Sequence, residues 1–349
     1  GFLALCTSNL PAVDVVPSKH FNTVLWTGNA TQRNITGVGF QPDLVWGKNR
    51  AYGNWNELTD SVRGATKSLY SNATAAEGTD SGKLQAFLSD GFQIGTAQGY
   101  NKTGDAHVAW NWKANGSGSS NTAGDITSTV SANTDAGFSI GTYSGNGSTS
   151  GTTIGHGLNK KPDLIIVKCK SAADSWGTYH SSLGAEKYLK LDTTDAEIDS
   201  YTTWNDTEPT ASVFTVWGDH RNNNGSQSYV FYAFHSVDGY SKVGSYTGNG
   251  NADGTFIYTG FRPAYVMMKD ITDAERWVIK DAARSPYNVV DDLLAANENS
   301  AESANSDQYI DFLSNGFKLR ASWDGVNDSG DTYIYIAFAE TPFKYSNAR

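Results

Sequence analysis

The residues of this chain with the types and spacing to do chemistry recur at fixed places. Lys48, Lys168 and Lys269 each close a short apolar run that begins at Pro42, Pro162 or Pro263, with one spacing in all three cases. Lysine and arginine total only 26 of 349 residues, so a recurring lysine needs a partner. A carboxylate at Asp60 or Asp281 would supply one, as a partly exposed ion pair worth about 0–1 kcal/mol. Asp60 with Arg63 and Asp281 with Arg284 share an Asp-x-x-Arg spacing, whereas His180 and Leu183 stand in the middle copy. A catalytic role requires an intact set somewhere; degenerate copies read as a structural turn held by an ion pair.

Trp204 and Trp323 lie in loops rich in Asn and Asp, beside Asn205-Asp206 and Asp324-Gly325. An exposed ring among such groups would stack on a glycan. Trp55, Trp176 and Trp277 follow the three lysines and read as core rings, or as a stacking platform if exposed. Glu57, Glu77, Glu186, Glu197 and Asp192 would serve glycoside hydrolysis only as a pair about 5–9 Å apart, which the sequence does not place. Asn249-Gly250-Asn251-Ala252-Asp253 and Asp324-Gly325-Val326-Asn327-Asp328 offer oxygen ligands for calcium but lack the closing glutamate of a calcium loop. The histidines do not cluster at ligand spacing, and there is no phosphate loop or Gly-x-Ser-x-Gly elbow. Cys6 and Cys169 are too few for a disulfide framework and read as free thiols. No catalytic set is expected, and no cofactor beyond calcium.

The elements around these residues repeat three times. A ring-plus-glycine turn appears as Trp26-Thr27-Gly28-Asn29-Ala30, Tyr143-Ser144-Gly145-Asn146-Gly147 and Tyr246-Thr247-Gly248-Asn249-Gly250. The proline, apolar run and lysine follow, and each copy ends in an aromatic strand: His107 to Trp112, Ser228 to Phe234, Tyr333 to Phe338. The period is about a hundred residues, too long for a solenoid repeat of about 20–50. Each copy is long enough to bury a core of its own.

Strand signals dominate. Leu164-Ile165-Ile166-Val167 and Tyr265-Val266-Met267-Met268 suit strands covered on both faces. The last strand alternates, with Ile334, Ile336 and Phe338 on one face and Tyr333, Tyr335 and Ala337 on the other. Val108, Trp110 and Trp112 oppose His107, Ala109 and Asn111 in the same way. Asp90-Gly91-Phe92 and Asn315-Gly316-Phe317 predict hairpins, because Asp-Gly and Asn-Gly tolerate positive φ. The middle copy has Ser212-Val213-Phe214 instead. Residues 288–296 allow about two helical turns, while Thr66 to Tyr70 and Glu186 to Leu191 are more strand-like. The expected fold is all-β: three tandem related antiparallel β-sandwich (jelly-roll-like) domains. Their bounds are 1–20, a linker from an upstream domain; 21–114, the first domain; 115–135, a Gly/Ser/Asn-rich linker; 136–238, the second; and 239–349, the third.

Composition limits the partners. The net charge is -10 with no basic run, which argues against nucleic acid. No apolar stretch approaches about 18 residues, so no helical membrane span is expected.

The repeats resemble a β domain of structural and tail-fibre proteins of tailed bacteriophages, especially phages of marine bacteria and cyanobacteria. The resemblance rests on Phe40-Gln41-Pro42-Asp43-Leu44-Val45-Trp46, Asp60-Ser61-Val62-Arg63-Gly64, Ser212-Val213-Phe214, Gly239 to Gly250, Gly260-Phe261-Arg262-Pro263-Ala264 and Asp311 to Phe317. It extends over nearly the whole chain from Phe21 to Lys344. Gly1 to Pro11 resembles the end of a SPRY or lectin-like module. The resemblance implies a virion location and a non-catalytic tail fibre, spike, head fibre or decoration protein. Its expected partners are other virion proteins, further copies of the chain, with a trimer as one form, and a cell-surface glycan. The alternatives are a carbohydrate-binding adhesin module and an envelope-polysaccharide depolymerase. One chain with three pseudo-equivalent domains could also fill a three-fold position by itself.

Overall fold

The computed structural model describes residues 15–340. Gly1 to Pro11, Cys6 and the chain beyond Glu340 lie outside the described residues. The fold is all-β and consists of several antiparallel sheets. Each third of the chain contributes one large sheet and one small sheet.

The first large sheet has the order Phe21–Thr27, Ala106–Trp112, Leu44–Asn49, Asn56–Asp60, Lys67–Tyr70, Gly78–Thr79. The third repeats it as Ser241–Thr247, Thr332–Ala339, Pro263–Asp270, Val278–Asp281, Asp292–Ala295, Ser303–Ala304. The second has the equivalent strands Phe138–Ser144, Ser228–Phe234, Leu164–Cys169, Gly177–His180, Lys187–Lys190 and Ile198–Asp199. Two more strands, Ser119–Asn121 and Ser128–Asn133, extend its edge. Residues 115–135 were expected as a linker. Their small polar side chains can also face water on an edge strand, and the pairing with Phe138–Ser144 uses their backbone. Asp292–Ala295 is likewise a strand where helical turns were expected: Leu293 and Leu294 go to opposite faces, into two different cores.

The two faces of each large sheet have different jobs. On the inner face, Trp112, Phe234 and Phe338 occupy equivalent register positions, opposite Phe21, Phe138 and Ser241. Their ring centroids form a triangle with sides of 6.4, 5.7 and 6.0 Å. Around it, Leu44, Trp46, Leu164, Ile166, Tyr265 and Met267 complete one apolar core drawn from all three thirds. An apolar void of about 20 Å³ lies among these side chains. The alternation read in Thr332–Ala339 is present: Ile334, Ile336 and Phe338 enter this shared core, while Tyr333, Tyr335 and Ala337 enter the third's own core. Val108, Trp110 and Trp112 likewise face the shared core. The expectation that each copy has a core of its own therefore describes only the outer faces.

Each outer face packs on the small sheet of its own third. These small sheets are Arg33–Thr36, Gly91–Ile94, Leu84–Leu88; Thr152–Gly155, Val213–Val216; and Phe256–Tyr258, Gly316–Leu319, Ile310–Leu313. The hairpins at Asp90-Gly91 and Asn315-Gly316 form as expected. The second third, with Ser212-Val213-Phe214, has a two-stranded sheet instead. Among the described residues, no helix is long and apolar enough to cross a membrane.

Candidate functional site

The repeated turn has one cause in all three copies. Trp26, Tyr143 and Tyr246 stack in parallel on their cross-strand partners His107, Tyr229 and Tyr333, at 5.3, 5.2 and 5.0 Å. The chain then turns against a buried asparagine, and of the three the sequence reading considered only Asn327, as part of a calcium loop. Asn101, Asn223 and Asn327 each accept, through Oδ1, the backbone N–H of Asn29, Asn146 and Asn249, at 2.9 Å in every case. A Cβ on Gly28, Gly145 or Gly248 would come within 2.0, 2.4 and 2.1 Å of a backbone carbonyl oxygen, so only glycine fits there. The spacing of these asparagines from the final strand is constant, and that was the available signal. In the loop considered for calcium, the Asn327 amide nitrogen donates to Asn249 Oδ1, Asn251 O and Ala321 O. The amide thus occupies the centre of that loop's oxygens.

The seams between the thirds are the most specific feature. Glu77 N–H donates to Lys170 O, Glu197 N–H to Ile271 O, and Glu302 N–H to Arg50 O, at 2.8, 3.0 and 2.9 Å. Each third grips the next, and the last of these bonds returns to the first. The large sheets close as a ring with pseudo-three-fold symmetry.

Pro42, Pro162 and Pro263 are buried just before or at the start of their strands, where proline's missing N–H costs no ladder bond. Lys48, Lys168 and Lys269 are at most 1 % exposed, and their expected carboxylate partners are replaced by carbonyls. Lys48 Nζ donates to Asn299 O of the third part at 2.9 Å and to Asn54 O. Lys168 Nζ donates to Thr74 O of the first part at 3.1 Å. Lys269 Nζ reaches Asp270 O and, at 3.3 Å, Asp273 O. Burial pushes all three ammonium groups down to about 8.

Asp60–Arg63 and Asp281–Arg284 are seam residues, and each forms the expected ion pair, with both side chains fully buried. Asp60 Oδ2 accepts from the Tyr232 hydroxyl of the second third at 2.8 Å. Asp281 Oδ2 accepts from Trp110 Nε1 of the first at 3.0 Å. In the remaining seam the carboxylate is His180, the arginine is Leu183, and the facing residue is Ile336, which has no donor. His180 and Ile336 line one small void, and burial pushes the imidazole down to about 4.

The tryptophan repeat is displaced by one residue. Trp176 and Trp277 are buried in the shared core, and their Nε1 atoms donate across seams to Tyr70 O and Lys190 O at 2.9 and 3.0 Å. Their backbone N–H groups donate to Asp192 and Asn297. The residue that does the same in the first third is Asn56: its N–H donates to Asn72, and its Nδ2 donates to Ala295 O at 3.1 Å. Trp55 is one position earlier, which on a strand is the other face. It is 46 % exposed and packs on Tyr70 at 5.3 Å.

Trp204 is not available for sugar stacking. It is 2 % exposed, inside the second third's core beside Tyr179 and Phe214. Trp323 is partly buried against the third's outer core. A Cβ on Gly325 would come within 2.4 Å of its ring, and the Arg276 guanidinium is 5.6 Å from the ring centroid. Among the described residues, the aromatic groups presented to solvent are Trp55, Tyr201 beside Trp217, Phe256 with Tyr258 on the outward face of one strand, and Tyr287.

Four of the five carboxylates considered for hydrolysis have separate structural partners, and the fifth, Glu186, is exposed. Glu57 pairs with Lys83 at 3.0 Å, Glu77 with Arg63 at 3.1 Å, and Glu197 with Lys187. Asp192 accepts the Trp176 N–H at 2.8 Å.

The class defined by this geometry is an all-β protein whose repeated sheets close on a common core. The chain belongs to the family of a domain of unknown function (DUF7483), whose model matches residues 16–342. No curated protein matches the chain.

Proposed function

We propose that this chain is a non-catalytic structural protein of a bacteriophage virion, a tail fibre, spike or capsid-associated decoration protein. In this reading its thirds are three related β-sandwich (jelly-roll-like) domains that one chain joins into an internal trimer. The observation that carries the reading is the closed ring of seam bonds, Glu77 to Lys170, Glu197 to Ile271 and Glu302 to Arg50. A virion offers three-fold positions on shells and along fibres. A closed chain with this symmetry fills one without a further copy, and it leaves its outer small sheets to contact other virion proteins or the host. Weak outer sites would gain from the many copies on one particle. Mass spectrometry and cryo-electron microscopy of phage particles encoding this chain test the reading. Density with the pseudo-axis on a shell or tail axis is expected; absence of the chain from purified particles contradicts it.

A carbohydrate-binding adhesin is the second reading. It is favoured by Trp55 on Tyr70 and by the outward pair Phe256 and Tyr258. A glycan array in which Trp55→Ala and Tyr258→Ala lose binding supports it, and an array without signal removes it.

A further inference from the structure

Equivalent positions in the three thirds solve one electrostatic problem in three ways. Asn49, Cys169 and Asp270 are cross-strand from His107, Tyr229 and Tyr333. From that register, Tyr52, Ala172 and Asp273 correspond, as do Lys102, Asn224 and Asp328, and Asp105, Gln227 and Asp331. In the first third the four groups include their own cation. Lys102 Nζ lies 3.3 Å from Asp105 and 3.8 Å from the centroid of the Tyr52 ring, while Asn49 Nδ2 donates to Asp105 at 2.9 Å. In the second the four are Cys169, Ala172, Asn224 and Gln227, without charge. In the third all four are aspartates, and among the described residues none of them is ion-paired with a lysine or arginine within 4.0 Å.

The carboxylates of Asp273, Asp328 and Asp331 offer oxygens that all lie within 4.8 Å of one another. That span matches oxygens around one calcium ion, whose bonds are about 2.3–2.6 Å long. The fourth group is an independent sign. Asp270 is 0 % exposed, and its Oδ2 has no hydrogen-bond partner. It stands against Asp331, whose Oδ2 is also buried without a partner. The other oxygen of Asp270 is committed to the N–H groups of Thr272 and Asp273. The neighbouring Tyr333 hydroxyl gives its proton to Asp324 O. Lys269 turns its ammonium to the carbonyls of Asp270 and Asp273, not to a carboxylate. Two buried carboxylate oxygens facing each other, with only the Tyr333 hydroxyl as a neighbouring donor, are costly unless a cation or a proton lies between them.

We propose that Asp273, Asp328 and Asp331, with Asp270 standing against Asp331, form a site for one divalent cation, with calcium as the fitting ion. An all-oxygen, flexible, partly open donor set suits calcium better than the softer transition metals. The ion would stand where Lys102 stands in the first third, tying the end of the Pro263–Asp270 strand to the turn before Thr332–Ala339.

The test is terbium luminescence sensitised by the nearby Tyr333, on the full chain stripped of metal, with calcium as competitor. One saturable terbium ion per chain, displaced by calcium, is expected. Asp273→Asn, which alters an exposed residue and keeps the fold, should weaken binding about tenfold or more, as should Asp331→Asn. Asp105→Asn in the first third should leave it unchanged. A calcium-dependent rise in melting temperature, lost in Asp273→Asn, is the second readout. Absence of saturable terbium binding overturns the proposal in favour of a proton shared by Asp270 and Asp331. Equal affinity in Asp273→Asn and the parent chain also overturns it.

Discussion

Trp110 and Asp281, 171 residues apart, meet across a seam: the indole Nε1 donates to Oδ2 at 3.0 Å, and both residues are 0 % exposed. The Arg284 guanidinium donates to the same oxygen at 2.5 Å and lies 5.6 Å from the Trp110 ring centroid. Tyr232 meets Asp60 and Arg63 in the same way one seam further on.

Trp110→Phe should destabilise the chain by about 1–3 kcal/mol in urea unfolding beyond the loss of ring area, because a buried carboxylate loses a donor. Trp112→Phe is the control, since its Nε1 has no partner to lose. Equal costs for the two would remove the seam bond from the account.

The seam built from His180, Leu183 and Ile336 shows that the polar set can be exchanged as a unit. Arg284→Leu alone should cost about 3–5 kcal/mol, because it strands the buried Asp281 carboxylate. Arg284→Leu combined with Asp281→His and Trp110→Ile should cost less than that single change. Additive losses in the same unfolding assay would show that the three residues are not coupled.

Four buried lysines, the three of the repeat and Lys280, set an alkaline trend. Burial pushes the three repeat ammonium groups down to about 8 and that of Lys280 to about 7, against 10.5 when unfolded. Below pH 7 the folded chain bears the full cost of these buried charges. As pH rises through 8 the folded state sheds those protons while the unfolded state keeps them, so stability rises. The gain up to about pH 9.5 should be ~1–2 kcal/mol per lysine. Lys168→Met should reduce the rise in urea midpoints between pH 7 and 9.5 by the share of one lysine, whereas an unchanged slope would mean that Lys168 stays charged.

The one-residue displacement at Trp55 separates it from its apparent counterparts. Trp176→Ala and Trp277→Ala should each cost about 3–5 kcal/mol, as buried rings do. Trp55→Ala should change stability by about 0.5 kcal/mol or less, as exposed positions do. Thermal melts of the three variants check this, and a large loss at Trp55 would restore the threefold tryptophan repeat.

Local patterns carried most of the fold that was legible. Period-2 alternation placed Ile334, Ile336 and Phe338 on one face, and Asp90-Gly91 and Asn315-Gly316 marked the hairpins, because both signals depend on neighbouring residues. What the inner faces pack against was not legible. An inward-facing aromatic row looks the same whether it meets a sheet of its own third or the rows of two others. Partners across a seam, such as Trp110 and Asp281, are set by closure of the ring and leave no local trace. Asn56 was missed because Trp55 beside it matched the repeat by type. A residue's face depends on its register, and only its hydrogen bonds to Asn72 and Ala295 reveal it. Trp204 was misplaced for a related reason: its neighbour Asn205 is partly exposed and Asp206 exposed, while the short helix Tyr201–Trp204 turns the ring inward.

The central claim is that three repeats share one core and close as a single body. Scanning calorimetry of the full chain, with its mass in solution taken by sedimentation, tests it most directly. The account predicts a monomer that melts in one transition, with calorimetric and van't Hoff enthalpies equal. Two or three separate transitions would contradict it, because thirds that melt independently cannot depend on the triangle of Trp112, Phe234 and Phe338.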